Sequence, residues 1–597
     1  MFTATTSVSP LVSQAVPTAV RAQGPAALMA GSRWASQEGS GPTFISYSFA
    51  DAGSGFNSAA SPFVASMSAL SAADREITRK VLANIEAVCN VRFFEVPDTA
   101  SSSGVLRYAY SQRPNDMGYS GYAFYPSASD IGGDIWIGRA QAGVEWAHYR
   151  PGLILHETLH ALGLKHPFEG GETLDLHDDV ITTTVMSYSP VAGNREGAMS
   201  HYPDEPMPLD IQALQALYGA ATSNAADTVY DLARWQENFH IVLDSAGNDT
   251  LDARKLATGV DIDLTPGAGS KVGLTVHAFS YHGTGASRTY DHSTYEETLR
   301  IDTGSWIENA VGSSHDDVLA GNQQHNLLQG GDGNDMLRGR GGNDVLDGGA
   351  GTDTACYDGS IGSFRVERFA DGYRVVDRTL SEGSDLLTGI ERLQFADMGV
   401  DLTVRDAAAP AAGAPLRMLI ELYTGFFNRI PDAEGLGFWL GEYAAGTSMT
   451  QIANSFHAAA LAHPAQTGYT AGMSNADFVN IVYKNVLGRA SADAEGLTYW
   501  TQALGSGAQS PGSMVLAMLD CAHQFKGHAQ YGFVADLLGN KYSVGKTVAV
   551  DMGLVWNDPS QAITKGMQIA AAITPDDTQF ALQLVGVTPA EIGVLAG

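Results

Sequence analysis

From Gly312 the chain repeats every nine residues, and no other feature constrains its folding as tightly. Five units follow without a gap, opening at Gly312, Gly321, Gly330, Gly339 and Gly348. Their sixth positions are Asp317, Asn326, Asp335, Asp344 and Asp353, and their eighth are Leu319, Leu328, Leu337, Leu346 and Ala355. The glycines permit tight turns, the sixth-position carboxylate offers a hard oxygen, and the apolar eighth position points inward from a short strand. Stacked turns of this kind predict a parallel β-roll with calcium held between loops. The expected calcium positions are Asp317, Gly330, Asp332, Asp335, Gly339, Gly341, Asp344, Gly348 and Asp353. Asn326 puts an uncharged group where the others carry a carboxylate, which lowers the expected occupancy there. A flexible Gly/Asp linker would leave the regular apolar positions unexplained.

The densest chemistry lies upstream, in His156-Glu157-Thr158-Leu159-His160-Ala161-Leu162-Gly163-Leu164-Lys165-His166. On a helix, His156 and His160 stand one turn apart on the same face, where two ring nitrogens reach one ion. Glu157 falls on the flank of that face, near the metal and free to act as a base. Gly163 is where the helix can stop, and His166 then returns as a third ligand. Three protein ligands leave a fourth position for water, the pattern of a catalytic zinc site rather than a structural one. The apolar flank Leu153-Ile154-Leu155 predicts a buried helix that keeps bulk water from the ion.

Further on lies Thr184-Val185-Met186-Ser187-Tyr188. A methionine in an apolar segment is ordinarily core filler, and a tyrosine there is equally an ordinary half-buried aromatic. After the long histidine motif, however, Met186 looks like the Met-turn of metzincins. The chain resembles one metzincin family, the serralysins, which are secreted bacterial proteases. That resemblance rests on His166-Pro167, Met186-Ser187-Tyr188, Pro208-Leu209-Asp210 through Tyr218-Gly219, Gly31-Ser32-Arg33-Trp34 and Ile45-Ser46-Tyr47-Ser48-Phe49. It implies that Tyr188 is a displaceable zinc ligand that swings to stabilise the oxyanion. It also implies a calcium site at Asp249, in the partial repeat Gly247-Asn248-Asp249, and export by a one-step type I route.

Composition narrows the alternatives. Acidic residues outnumber basic ones 65 to 34, for a formal charge of −31, which excludes nucleic acid as an expected partner. The three cysteines, Cys89, Cys356 and Cys521, are too few and too scattered for a disulfide framework or a cysteine-ligated zinc. No apolar run reaches transmembrane length, and Met1-Phe2-Thr3-Ala4 lacks the basic and apolar regions of a signal peptide.

The expected organisation is multidomain α+β: a metzincin protease domain, a parallel β-roll of RTX type and a mainly α-helical C-terminal domain. Residues 1–30 read as a disordered leader or short prosegment, 31–225 as the protease and 226–405 as the roll with capping strands. Within the last, 255–305 look like an insertion of no assigned function. Residues 406–415, Ala/Pro-rich, read as a linker. Residues 416–597 hold a second repeat, in which Tyr423 through Arg429, Asp432-Ala433-Glu434-Gly435-Leu436 and Trp439 return as Tyr483 through Arg489, Asp493-Ala494-Glu495-Gly496-Leu497 and Trp500. These copies resemble an uncharacterised domain of bacterial exoproteins and surface-layer proteins. The expected function is therefore a secreted, calcium-dependent zinc endopeptidase acting on extracellular proteins or peptides, with a possible surface-layer or secretion partner for 416–597. The competing expectation is a calcium-dependent surface or adhesion protein whose protease domain is vestigial or serves one partner.

Overall fold

The computed structural model describes residues 11–15, 24–36, 41–56, 62–221, 225–283 and 287–587. The chain divides into two compact units, Met1–Asn309 and Ala310–Gly597. Residues 226–309, expected to belong with the repeats, thus fall in the first unit.

The first unit is built on a five-stranded sheet. Its strands are β3 (Thr43–Phe49), β4 (Val91–Glu95), β5 (Leu106–Ser111), β6 (Gly121–Ala123) and β7 (Asp134–Gly138), in the order β4-β3-β5-β7-β6. All neighbours are parallel except β6, which runs antiparallel to β7 and forms one edge. Strands β1 (Leu11–Ala15) and β2 (Ser32–Ser36) pair separately. Helix α1 (Ala72–Val88) links β3 to β4, as parallel strands require. Ser71 caps it by accepting from Asp74 N, and Val81, Leu82, Ile85 and Val88 are buried at helical spacing.

Helix α2 (Tyr149–Ala161) carries the histidine motif and packs on α1 and β6. Leu153, Ile154, Leu155 and Leu159 are buried in the core of this unit, each side chain contributing about 1.5–3 kcal/mol. The helix ends at Gly163, whose φ of +106° is a left-handed value, and a Cβ there would lie 2.3 Å from Ser32 O. Glycine is required twice over at this turn. The leader expectation needs correcting in part. Ala27, Leu28 and Met29 are buried, Met29 bridges to Leu164, and Leu11–Ala15 is a strand.

The suspected insertion is a long antiparallel hairpin, β9 (Gly269–His282) with β10 (Thr289–Ile301), and β9 also pairs with β8 (Gly197–Met199). Thr284 and Gly285 of this segment lie outside the described residues, as do the residues from Glu591 on.

In the second unit the repeat strands pair in parallel with the strand two units away. Val318–Ala320, Met336–Arg338, Thr354–Cys356 and Arg392–Gln394 form one ladder. Leu327–Asp332, Val345–Ala350 and Ser384–Thr388 form a second. The eighth-position side chains Leu319, Leu328, Leu337, Leu346 and Ala355 are fully buried, whereas seventh-position Val318, Met336 and Val345 are exposed. After the repeats, Phe364–Phe369 and Gly372–Asp377 form an antiparallel hairpin.

The linker reading is overturned. Residues Val404–Ala408 and Ala409–Ala411 are helical turns, and Ala408 and Ala411 are buried in the same core as the helices that follow. Alanine favours helix wherever a core accepts its small side chain, so composition alone misled. Leu554–Trp556, far along the chain, pairs antiparallel with Met398–Asp401. In the helical region Asp432 and Asp493 each N-cap the next helix, accepting from Gly435 N and Gly496 N. Arg489 meets Asp493 at 3.3 Å, while its counterpart Arg429 lies over the Tyr423 ring.

Candidate metal centre

Two helix-borne imidazoles and one loop-borne imidazole converge on a point beside α2. His166 Nε2 lies 3.2 Å from His156 Nε2 and 3.1 Å from His160 Nε2. The other nitrogen of each ring is already engaged. His156 Nδ1 is 2.8 Å from Val185 O, His160 Nδ1 is 2.7 Å from Leu164 O, and His166 Nδ1 is 2.8 Å from Glu169 Oε1. A carbonyl accepts only, so each Nδ1 facing one must carry the proton, which leaves Nε2 as a bare lone pair. Burial pushes His156 down to about 3, with His166 adding to the effect, and holds His160 well below its ordinary value, so both rings are neutral at neutral pH. Three lone pairs directed at one another repel unless a cation lies between them. This donor set fits zinc, and the carbonyl partners are the outer contacts that orient histidine ligands.

Glu157 is 4% exposed, and its Oε2 has no hydrogen-bond partner. Burial pushes its carboxyl up to about 8. A divalent cation among the histidines would draw it back toward the carboxylate. Gly121 on the edge strand makes room for it, since a Cβ there would lie 2.5 Å from Glu157 Oε1. Sequence reasoning missed Gly121, and its only signal was a glycine opening a short strand.

Met186 is fully buried directly after Val185, whose carbonyl receives His156. The turn is tied down by Asp210 of α3 (Pro208–Tyr218), which accepts from Thr184 Oγ1 at 2.5 Å, Val185 N at 2.9 Å and Met207 N at 2.9 Å. The sequence offered Asp210 as part of a resemblance without showing this tie. Tyr188 is 42% exposed, with its hydroxyl 2.9 Å from His166 Nε2. Burial, then Glu157, holds the phenol above its ordinary value, so it is a hydrogen-bond donor. A cleft of about 340 Å³ runs past these groups, lined by Gly121, Tyr149, His156, Glu157, Tyr188 and Tyr202 among others.

The repeat positions present a different electrostatic picture. Three of the five sixth-position side chains accept from the backbone two units earlier: Asp317 N donates to Asp335 Oδ1, Asp335 N to Asp353 Oδ1 and Asn326 N to Asp344 Oδ1, all at 2.8 Å. Asp385 and Glu391 continue the pattern beyond the last repeat, accepting from Asp344 N and Asp353 N. They escaped sequence reasoning because they lie out of the nine-residue register. The second oxygens of Asp249, Asp335, Asp344 and Asp353 are buried without a hydrogen-bond partner. Burial, with neighbouring carboxylates, pushes Asp249 up to about 6, Asp335 to about 7 and Asp344 to about 8. Asp317 differs, because Ser313 donates to both of its oxygens, and Asn326 is similarly engaged by Asn322.

First-position glycines serve close approach. A Cβ at Gly330 would lie 2.2 Å from Asp335 Oδ2, one at Gly339 2.3 Å from Asp344 Oδ2, and one at Gly348 2.1 Å from Gly389 O. Gly341 abuts Gln323 Oε1, and Asp332 is exposed at the end of its strand. Among the described residues, the repeat acids are not gathered three to a site, so a cation there would take backbone carbonyls as well.

Comparison with known proteins agrees with these features. The family model described as RTX calcium-binding nonapeptide repeat matches residues 311–346 and 320–355, and the model "Domain of unknown function (DUF4214)" matches 453–527. Serralysin C of Dickeya chrysanthemi is 30% identical over 258 residues, covering 39% of this chain and 50% of that protein. Serralysin A of the same organism is 31% identical, covering 39% and 49%, and the serralysin of Proteus mirabilis is 27% identical, covering 42% and 54%. Over about two fifths of its length the chain is similar to serralysins, and it carries RTX nonapeptide repeats. It spans about half the length of the curated relatives it matches. One solved structure, the extracellular lipase LipA of Serratia marcescens, matches at 19% identity over 17% of this chain and 21% of that one, with a TM-score of 0.15, too low to bear on the fold. No helix among the described residues is long and apolar enough to cross a membrane.

Proposed function

We propose that the chain is a secreted zinc endopeptidase whose first unit is a metzincin-type protease and whose nonapeptide repeats form a calcium-binding β-roll. The observation that carries the reading is the convergence of three imidazole lone pairs beside a buried, unpartnered carboxylate. His156, His160 and His166 would hold the ion. Bound there, zinc supplies Lewis acidity and a water whose pKa falls toward neutrality. Glu157 takes the proton of the attacking water on its carboxylate and delivers it to the leaving amine nitrogen. Tyr188 donates its hydroxyl to the oxygen that gains charge as the scissile carbonyl becomes tetrahedral. Edge strand β6 offers backbone groups to which an extended peptide can add as a further strand beside Glu157. Met186, Asp210 and Gly163 hold the frame without touching the reaction.

In the repeats, calcium would satisfy the partnerless oxygens of Asp335, Asp344 and Asp353, with Asp249 a further site in the first unit. Extracellular calcium modules bind in the range of about 10⁻⁴–10⁻³ M, so folding of the repeats would follow export by a type I route rather than precede it.

Casein hydrolysis by the full chain, by Glu157→Gln and by the wild type with a zinc chelator tests the catalytic reading. Loss of activity in both arms, with activity restored by zinc in the second, is expected. Equal hydrolysis by wild type and Glu157→Gln overturns it.

A further inference from the structure

The groups around the metal centre are supported unequally. His156 and His160 ride on a buried helix, but His166 and Tyr188 sit on loops and need bracing from elsewhere. Phe168 lies parallel to His166, with ring centroids 5.1 Å apart and 2° between planes, and it also packs against Tyr188 at 5.3 Å. The guanidinium of Arg195 stands over the Phe168 ring, 3.9 Å from its centroid. The same guanidinium donates to Asp179 Oδ2 through Nε at 3.2 Å and Nη2 at 2.9 Å. Asp179 is 2% exposed, and its Oδ1 accepts from Ser187 Oγ at 2.6 Å, one residue before Tyr188. One side chain therefore reaches two arms, the first ending on His166 and the second beside Tyr188.

Arg195 is itself held by the long hairpin. Asn194 Nδ2 donates to Tyr281 O at 3.1 Å, and Tyr281 N donates to Glu196 O at 2.7 Å, so β9 clamps the residues on either side of Arg195.

We infer that Arg195 is a positioning residue, braced by the β9–β10 hairpin, which fixes His166 through Phe168 and Tyr188 through Asp179 and Ser187. This rests on the zinc reading above. Its chemistry suits arginine in particular. A planar guanidinium stacks on an aromatic face while bonding a carboxylate through its edge, and a lysine ammonium keeps the charge but loses the planar stack. Removing contacts that orient metal ligands weakens metal binding by about 10–100-fold.

The two arms make separate predictions. In full-length, calcium-loaded protein, zinc release to a competing chelator reports on His166, and kcat at fixed KM on a fluorogenic peptide reports on Tyr188. Arg195→Met is expected to release zinc about tenfold faster and to lower kcat about tenfold with little change in KM. Arg195→Lys, which keeps an ion pair with Asp179, should recover kcat while still releasing zinc fast. Phe168→Leu, which strips the ring from both His166 and Tyr188 while the Arg195–Asp179 ion pair remains, should speed zinc release and also lower kcat. Wild-type release and kcat in Arg195→Met, or no recovery of kcat in Arg195→Lys, overturns the inference alone. A wild-type chain that takes up no zinc overturns the zinc reading and this inference with it.

Discussion

The histidine cluster and the repeat carboxylates both gather cation-binding groups, but they reach that arrangement by opposite routes. Around His156 and His160 every ring nitrogen not aimed at the centre has a backbone carbonyl, and the helix beneath lies in a large apolar core. Packing and backbone carbonyls orient these imidazoles, and a cation would relieve the repulsion among their lone pairs. In the repeats, the strands bury little beyond one leucine per nine residues, and Asp335, Asp344 and Asp353 each enclose a carboxylate oxygen without a partner. A buried carboxylate oxygen without a partner is costly, so the repeats have more to gain from a cation than the apolar core around the histidines does. The histidine cluster is set in a packed core, and the repeats are conditional.

The largest expected effect falls on the preorganised side. Glu157→Gln should lower peptide hydrolysis by about a hundred- to ten-thousand-fold, since it removes the proton carrier while keeping shape. Zinc content should stay at the wild-type level, and a loss of zinc in this variant would mean that Glu157 is structural.

Calcium removal should strike the other side. With a calcium chelator at neutral pH, the strand signal and melting temperature of the repeats are expected to fall, and to return at about millimolar calcium. Apart from calcium, pH should act in an unusual direction. The folded pKa values of Asp335 and Asp344 lie near 7 and 8, above the ordinary aspartate value of 3.8. The folded state therefore holds protons that the unfolded chain releases, and this stability is present below about pH 4 and lost as pH rises through 7–8. Calcium-free repeats should melt higher at pH 5 than at pH 8, and saturating calcium should abolish the difference. A higher melting point at pH 8 without calcium would contradict the burial of these groups.

A smaller contrast lies within the repeats. Asp335→Asn should shift the calcium midpoint more than Asp317→Asn, because Ser313 already serves both oxygens of Asp317. Equal shifts, measured by calcium titration with circular dichroism, would erase the distinction between early and late units. The smallest effect is expected at Gly121→Ala. The added Cβ meets the flexible end of Glu157, so kcat should fall about tenfold with almost no change in melting temperature, within about 0.5 kcal/mol.

Much of this was legible in the chain. The spacing of His156, His160 and His166 brings three ring nitrogens together because helical geometry and a glycine stop leave few alternatives. The nine-residue period placed Leu319, Leu328, Leu337 and Leu346 inside, as repeated turns must. Contacts between distant segments were not legible. Asp210 tying the Met186 turn, Arg195 reaching Phe168 and Asp179, and Leu554–Trp556 joining Met398–Asp401 connect residues with no common local pattern. The alanine-rich stretch at 406–415 looked like a linker because composition does not reveal a core waiting to receive it.

The sequence alone determined which groups can bind cations and at what spacing, because helix and repeat periodicities are local and follow from a few backbone angles. Only the tertiary structure decided which of those groups are already satisfied. Whether Ser313 reaches Asp317 while Asp335 keeps a bare oxygen, and whether Glu157 faces water or a glycine edge, depends on desolvation and on partners from elsewhere in the chain. Burial sets protonation and the need for an ion, and burial is a property of the packed chain as a whole.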